Sequence, residues 1–336
     1  MVNNKCKIDM ARVLIFGATG GVGTHTAISL RKDGHDVSAI GHRPSDNGFF
    51  ADYGIEYYSI DIKDASSFSK LPKEFDCVIH FAGAMPARMK GYHPHEYIDT
   101  IINGTLNILE YMNQCGCKKI IFAQSIADIN YLFGTTNPIS DDVERKFPLA
   151  TDHSVYSISK NAAVNLIEHY HAQYGFDRFI LRLPTIYVYH PTPYFYYNGE
   201  RKYLGYRYII DQAIKGEPLQ IWGNPKSKKE MVYVKDFVQL VTCCVNSNLK
   251  GGIYNVGCGN PVSIEEQIRT IAEIFATDKV SKIEYAPEKP SSPQFVLSIE
   301  KAKKDLGYSP QYDFRKMMID FKKEMEELPF RKLWGI

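Results

Sequence analysis

The 336-residue chain predicts an α/β fold: a doubly wound parallel sheet, with a smaller α/β lobe toward the C-terminus. Three features carry that expectation. Short β-branched runs alternate with helical patterns through the first half, which implies parallel strands joined by crossover helices. The first run, Arg12-Val13-Leu14-Ile15-Phe16, leads directly into Gly17-Ala18-Thr19-Gly20-Gly21-Val22-Gly23 and then a helical pattern. After Tyr187 the alternation stops. Prolines, glycines and aromatic residues intervene before short strands and helices resume.

Strand, glycine turn and helix in that order is the setting in which glycine spacing carries chemistry. Gly17, Gly20 and Gly23 permit a tight turn and close backbone approach, so N–H groups around Thr19, Gly21 and Val22 can hold a pyrophosphate at a helix N-terminus. The spacing is G-x-x-G-x-x-G, not the commoner G-x-G-x-x-G. A second strand near residues 36–40 ends in Gly41-His42-Arg43. NAD sites usually place an acid there, whereas a 2′-phosphate needs a cation. With Gly41 in the acidic slot and His42 and Arg43 following, NADP(H) is favoured over NAD(H), which remains the alternative.

A third strand near 56–60 runs into Asp61-Ile62, and a fourth at 77–80 runs into Phe81-Ala82-Gly83. A helix over about 95–113 precedes a fifth strand at 119–123. Ser154 is the expected N-cap of a helix from 155 to about 174, and a sixth strand covers 178–182. Ligands of such a sheet lie across the C-terminal strand ends. Beyond it, residues 187–208 read as an aromatic-rich loop. A helix near 206–215, strands at 219–222 and 231–234 and a helix from 236 come next. Residues 252–256 are expected to rejoin the main sheet. Helices near 263–275 and 299–306, a strand near 282–285 and a charged terminal helix complete the lobe.

Composition excludes several classes. Basic and acidic residues number 40 and 38, so nucleic-acid or membrane-surface binding has no compositional support. No apolar run is long enough to span a bilayer, and Met1-Val2-Asn3-Asn4-Lys5 lacks a signal-peptide core; a cytoplasmic protein is expected. The seven cysteines read as free thiols of a reducing compartment. His93-Pro94-His95 reads as a helix-entry turn, with no partner cluster for a metal.

Tyr156-x-x-x-Lys160 places a phenol and an ammonium one helical turn apart. A lysine held close favours phenolate, so the phenol would exchange a proton near neutral pH. Ser125, past the fifth strand, would share the hydrogen bonding of the reacting oxygen. Two further pairs, Tyr285/Lys289 and Tyr312/Lys316, have the same spacing. Only Tyr156/Lys160 lies in the nucleotide-binding half behind a strand-end serine, so context selects it.

Together with Asp61-Ile62, His80-Phe81-Ala82-Gly83, Gly104-Thr105, Arg182-Leu183-Pro184, Tyr233-Val234-Lys235-Asp236 and Lys304-Asp305-Leu306-Gly307-Tyr308, these motifs resemble the extended short-chain dehydrogenase/reductase superfamily. The likeness is in particular to its nucleotide-sugar epimerase/dehydratase group, and it covers nearly the whole chain. It implies a Rossmann-type dinucleotide domain over residues 1–190, rejoined by about 236–258, and a substrate lobe over 191–235 and 259–330. It implies Tyr156 as acid/base, Lys160 on the nicotinamide ribose, Asp61 and Ile62 at adenine, and Ala82 and Gly83 along the dinucleotide. Pro184 and Ile186 would flank nicotinamide and sugar. Where the family clamps a diphosphate with arginines this chain has Lys229 and Lys289, which keep charge but lose the bidentate fork.

The chain also departs from the family. Ile126-Ala127 replace the Asp-Glu pair of 4,6-dehydratases, Ile101 and Thr185 replace usual asparagines, and Ile129-Asn130 stand in place of Tyr-Gly. Arg88 is a candidate substrate contact, His190 either a pocket donor or a loop residue, and Tyr194–Tyr197 either a stacking surface or lobe core. The implied activity is an NADP(H)-dependent reductase of a nucleotide-linked keto-sugar. The alternatives are an NAD-retaining 4-epimerase and, from another class, a non-catalytic dinucleotide sensor. Homodimers pairing through the two long helices are expected from the resemblance.

Overall fold

The computed structural model describes residues 10–151 and 153–336; Met1–Lys5 and Cys6 lie outside them. Seven strands form one parallel sheet in the order β12-β6-β5-β4-β1-β2-β3. They are β1 (Arg12–Phe16), β2 (Asp36–Gly41), β3 (Glu56–Ser59), β4 (Cys77–His80), β5 (Lys119–Ser125), β6 (Asp177–Leu183) and β12 (Gly251–Asn255). All six neighbouring pairs run parallel. A strand covered on both faces must be apolar along its whole length, and Val13, Leu14, Ile15 and Phe16 are all buried.

One face is covered by α1 (Gly21–Lys32) and α6 (Val234–Asn246), and the other by α3 (Gly104–Gln114) and α4 (Ser154–Tyr174). The helix expected before β5 begins as α2 (Pro94–Tyr97) and widens to i→i+5 bonding over Ile98–Asn103 before α3. Strand order reverses between β1 and β4, so their C-terminal ends open the crevice where ligands of this architecture sit.

A separate apolar core holds the remaining elements. These are β7 (Thr185–Tyr187) paired with β11 (Met231–Tyr233), and β10 (Leu219–Trp222) paired with β13 (Ile283–Ala286). Around them pack α5 (Gly205–Lys215), α7 (Ile264–Phe275) and α9 (Phe314–Glu327). The short α8 (Glu300–Leu306) and α10 (Arg331–Trp334) finish the chain. Among the described residues no helix is long and apolar enough to cross a membrane, and the six described cysteines are free thiols.

Two local expectations are corrected. Residues 194–203 are not loop but a β-hairpin, β8 (Tyr194–Tyr197) with β9 (Glu200–Tyr203). Asn198 and Gly199 have φ of 49° and 76°, the left-handed pair that a two-residue hairpin turn demands. Ser154 is also not the N-cap. His153 holds that position, and the Ser154 hydroxyl instead donates to the Pro148 carbonyl at 2.9 Å.

Arg182, wholly buried in β6, knits this frame together. Its Nε donates to both Asp128 carboxylate oxygens at 3.1 and 3.2 Å, and an Nη donates to Asn255 Oδ1 at 2.9 Å. Removing one member of a buried ion pair strands the other charge. Asp128→Asn is therefore expected to lower unfolding free energy by about 3–5 kcal/mol, measured as a lower urea midpoint with unchanged m-value.

Candidate active site

Local sterics dictate the glycine turn. Gly17 has φ 87°, and a Cβ there would lie 2.8 Å from the Ala82 backbone nitrogen across the β1–β4 crevice. A Cβ at Gly23 would stand 2.2 Å from the Gly17 carbonyl oxygen, and one at Gly21 3.1 Å from Val188. Gly17 and Ala18 N–H groups donate to the Ile40 carbonyl, which hangs the turn on β2. Thr24 donates its hydroxyl to the Ala18 carbonyl from below. Gly20 is the N-cap of α1, no side chain caps the helix, and its first turn carries no acid. The N–H groups of Gly21, Val22 and Gly23 thus crown an uncapped twelve-residue helix, a cradle that fits a dinucleotide pyrophosphate.

The rims of the crevice differ in detail from the sequence expectation. Thr19 is buried, and its side chain and the Tyr57 hydroxyl would both lie 3.0 Å from a Cβ at Gly41. That crowding explains why the usual acidic slot holds glycine. His42 is exposed, while Arg43 donates to the Leu333 carbonyl at 3.2 Å. Asp61 lies 3.8 Å from Lys63, and Ile62 is buried against Gly104, where a Cβ would approach it to 2.7 Å. Gly83 has φ 143° and faces Ile101, Pro184 is buried and Ile186 half-buried.

Ser125 and Tyr156 lie close to one another, and Lys160 stands one turn along α4 with its ammonium on β5. Ser125 is the last residue of β5, its hydroxyl oxygen accepts from the Ala127 N–H at 3.1 Å, and it is near enough to the Tyr156 phenol to lower its pKa. Tyr156 stands in the first turn of α4, edge-on to Tyr97 at 5.9 Å. One turn later the Lys160 ammonium donates to the Ala123 carbonyl at 2.8 Å and lies over the Phe122 ring. Beneath them His80 bonds Thr105 at 2.9 Å and is held neutral by burial, its pKa down at about 3.

The expected acidified phenol is corrected by this geometry. Burial pushes Tyr156 up to about 12, with only the Ser125 hydrogen bond pulling down. Lys160 bonds the backbone of β5, and burial lowers it to about 8. Dehydration dominates both shifts, and neither group contributes to the other's.

The substrate-side candidates disperse. Arg88, exposed at the end of a short turn after β4, faces His190, whose pKa falls to about 4 through burial and that guanidinium. His190 accepts from the Thr192 N–H and packs on Trp334 at 5.6 Å. Lys289 donates to Gln220 at 2.6 Å and stacks over Trp222, and Lys229 is half-buried beside the Phe295 bridge. Tyr97 was not singled out by sequence, and Tyr196 only as part of the Tyr194–Tyr197 cluster. The hydrophobic staple of an aromatic four residues into a proline-started helix, and the Asn198-Gly199 dipeptide, are the signals that mark them.

The chain matches the NAD dependent epimerase/dehydratase family over residues 13–257. It is 26% identical to the UDP-glucuronate 4-epimerase of Thermodesulfobacterium geofontis, covering 95% of this chain and 98% of that one. It is 28% identical to the UDP-N-acetyl-alpha-D-glucosaminuronate decarboxylase of Bacillus cytotoxicus, with 88% and 89% covered. The structure of UDP-glucose 4-epimerase with UDP-glucose from Thermotoga maritima superposes with a TM-score of 0.73 at 21% identity, covering 94% and 99%. With the sheet order in agreement, the chain belongs to the NAD dependent epimerase/dehydratase family.

Proposed function

We propose that the protein is an NAD-retaining UDP-sugar 4-epimerase, with Ser125, Tyr156 and Lys160 as its catalytic residues. The observation that supports this is the placement of Ser125 at the C-terminal end of β5 with Tyr156 and Lys160 in the first two turns of α4, on the sheet whose β1 ends in the glycine cradle. The related enzymes named above are epimerases and a decarboxylase, which favours the epimerase alternative over the reductase first expected. Arg43, tied to Leu333, gives the NADP(H) preference no support. In this reading Gly20, Gly21 and Val22 hold the pyrophosphate, and Ala82, Gly83, Pro184 and Ile186 line the path to the reacting end. Residues 191–235 and 259–330 form the substrate side, with Lys229 and Lys289 attracting the diphosphate. The exposed Ile98, Leu106 and Ile158 on the two long helices would pair subunits.

Bound NAD supplies the hydride acceptor and donor. The chain's own task is the proton. Tyr156 would take the proton of the substrate hydroxyl in its phenolate form as the hydride leaves for NAD, and as the neutral phenol would return that proton when the hydride comes back. Ser125 shares that oxygen, stabilising charge that develops on it. Lys160 stays largely ammonium at neutral pH and keeps positive potential beside the phenol.

Mass spectrometry of nucleotide carried by the purified protein should find NAD, and UDP-glucose should be converted to its epimer without net absorbance change at 340 nm. Stoichiometric consumption of NADPH by a keto-sugar nucleotide would overturn this reading. Arg43→Ala should leave NAD retention within about threefold, since each tenfold requires about 1.4 kcal/mol. Tyr156→Phe should reduce turnover by about 10²–10⁴-fold, the usual worth of a positioned acid/base, with retained NAD unchanged.

Lys160 offers a stability test. Its value in the fold, about 8, lies below its ordinary 10.5, so folding disfavours the charged form at neutral pH and the penalty fades as pH rises from 8 toward 10.5. Lys160→Met should thus melt no lower than the parent at pH 7 and lose that advantage by pH 10, while turnover falls at least about tenfold.

A further inference from the structure

Three guanidiniums gather where strands of the sheet and lobe end. Arg43 follows β2, Arg88 belongs to the turn after β4, and Arg207 lies in the first turn of α5. They share a neighbour in His190, just beyond β7, whose imidazole is held neutral by burial and then by Arg88, Arg43 and Arg207. Arg88 and Arg207 also both face the Tyr206 phenol, so guanidiniums from two separate elements meet at one corner. That corner borders the dinucleotide crevice. Val188, two residues before His190, is the side chain against which a Cβ at Gly21 of the cradle would rest at 3.1 Å.

No carboxylate of these elements balances the three cations. Arg43 donates to the Leu333 carbonyl at 3.2 Å. Arg207 is only 6% exposed, donates to the His190 carbonyl at 2.7 Å and stacks on Tyr189, yet its buried Nε has no hydrogen-bond partner. Arg88 is exposed, and among the described residues its guanidinium has no hydrogen bond or ion pair. The acids nearby in sequence are occupied elsewhere. Asp211, one turn along α5 from Arg207, bonds the Tyr203 hydroxyl, and Asp46 accepts from the Gly48 and Phe50 N–H groups.

Like charges gathered without counter-ions repel, and a buried guanidinium short of acceptors costs free energy. A cleft lined by one sign of charge concentrates ligands of the other. Guanidinium forks match the paired oxygens of phosphate and carboxylate groups, so the complement of this corner is an oxyanion. The dinucleotide pyrophosphate is served by the N–H groups of the cradle, which leaves the corner to the other ligand of the crevice.

We propose that Arg88 and Arg207 form a corner, beside His190, that binds an oxyanion of the nucleotide-sugar substrate, either its diphosphate or a sugar carboxylate. The two arginines thereby supply the bidentate contacts that Lys229 and Lys289 cannot make. The inference rests on the epimerase reading for the class of substrate and adds to it the residues that grip the charge.

Calorimetric titration of the full chain, as purified with its dinucleotide, tests this without requiring turnover; the probes are UDP, UDP-glucose and UDP-glucuronate. Arg88→Gln and Arg207→Gln should each weaken binding by about tenfold or more, the worth of one charge-assisted contact, with retained NAD unchanged. Equal losses for all three probes assign the diphosphate to the corner, and a loss confined to UDP-glucuronate assigns the carboxylate. By NMR the His190 imidazole should titrate at higher pH with the affected probe bound than without it, because a nearby anion favours imidazolium. An Arg88→Gln protein that melts like the parent and binds every probe as the parent does overturns the inference. So does a loss of retained NAD with probe affinities unchanged. Where Arg207→Gln melts below the parent, the exposed Arg88 variant decides. Probes that bind but are not epimerised remove the epimerase reading and leave the corner standing, whereas a parent chain that binds none of them overturns both.

Discussion

The buried guanidinium of Arg182 is the constraint on which the site's placement depends. A charge with no exposed surface is tolerable only if it is paired, and here Nε and Nη1 are used while Nη2 is left without a partner. Here Asp128 supplies the counter-charge, the Asp141 carbonyl accepts at 3.2 Å, and Asn255 accepts at 2.9 Å. Asn255 in turn donates to the Ile139 carbonyl at 2.9 Å and receives the Asp141 carboxylate on its backbone N–H. One side chain in β6 thereby fixes the turn after β5, the 139–141 segment and the end of β12. Ser125 is the residue at which β5 enters that turn. Its hydroxyl is aimed because Asp128, three residues on, cannot move without stranding Arg182.

A second constraint is steric. The crevice between β1 and β4 is narrow enough that Gly17 and Ala82 touch backbone to backbone, and α1 begins so tightly that Gly23 rests on the Gly17 carbonyl. Any side chain at either position would push apart the two strands that end at the cradle. Such closeness is what allows N–H groups, rather than long cationic side chains, to do the binding. It also explains why the turn remains legible: few residue types satisfy the geometry.

Legibility in the sequence follows how local each cause is. The parallel strands could be read because both faces of each are buried and the apolar run is continuous, and the return of β12 to the sheet followed from the same pattern. Ser125, Tyr156 and Lys160 could be paired because strand end and helix face are short-range facts. The phenol's acidity could not, since it depends on where the Lys160 ammonium points. That is set by the Ala123 carbonyl and Phe122 of another element. The hairpin was hidden by its aromatic density, which resembled irregular structure although Asn198-Gly199 held the turn signal. Arg43 was misleading for a similar reason. The partner of its guanidinium, the Leu333 carbonyl, lies 290 residues away in sequence.

The dehydration of Tyr156 and Lys160 bears on how such a site functions. A phenol at about 12 beside an amine at about 8 is the reverse of an ion pair: at neutral pH both groups are in their ordinary protonated forms. The site therefore stores unfavourable desolvation that any added positive charge near the phenol would convert into acidity, since a nearby cation favours phenolate most where water is excluded. Proton exchange is thus switched by what occupies the crevice rather than built permanently into the side chains. Tyr97 reinforces this arrangement by packing its ring edge against Tyr156 and keeping water from that flank. Phenol acidity accordingly depends in part on one buried tyrosine, an effect that arises from packing alone.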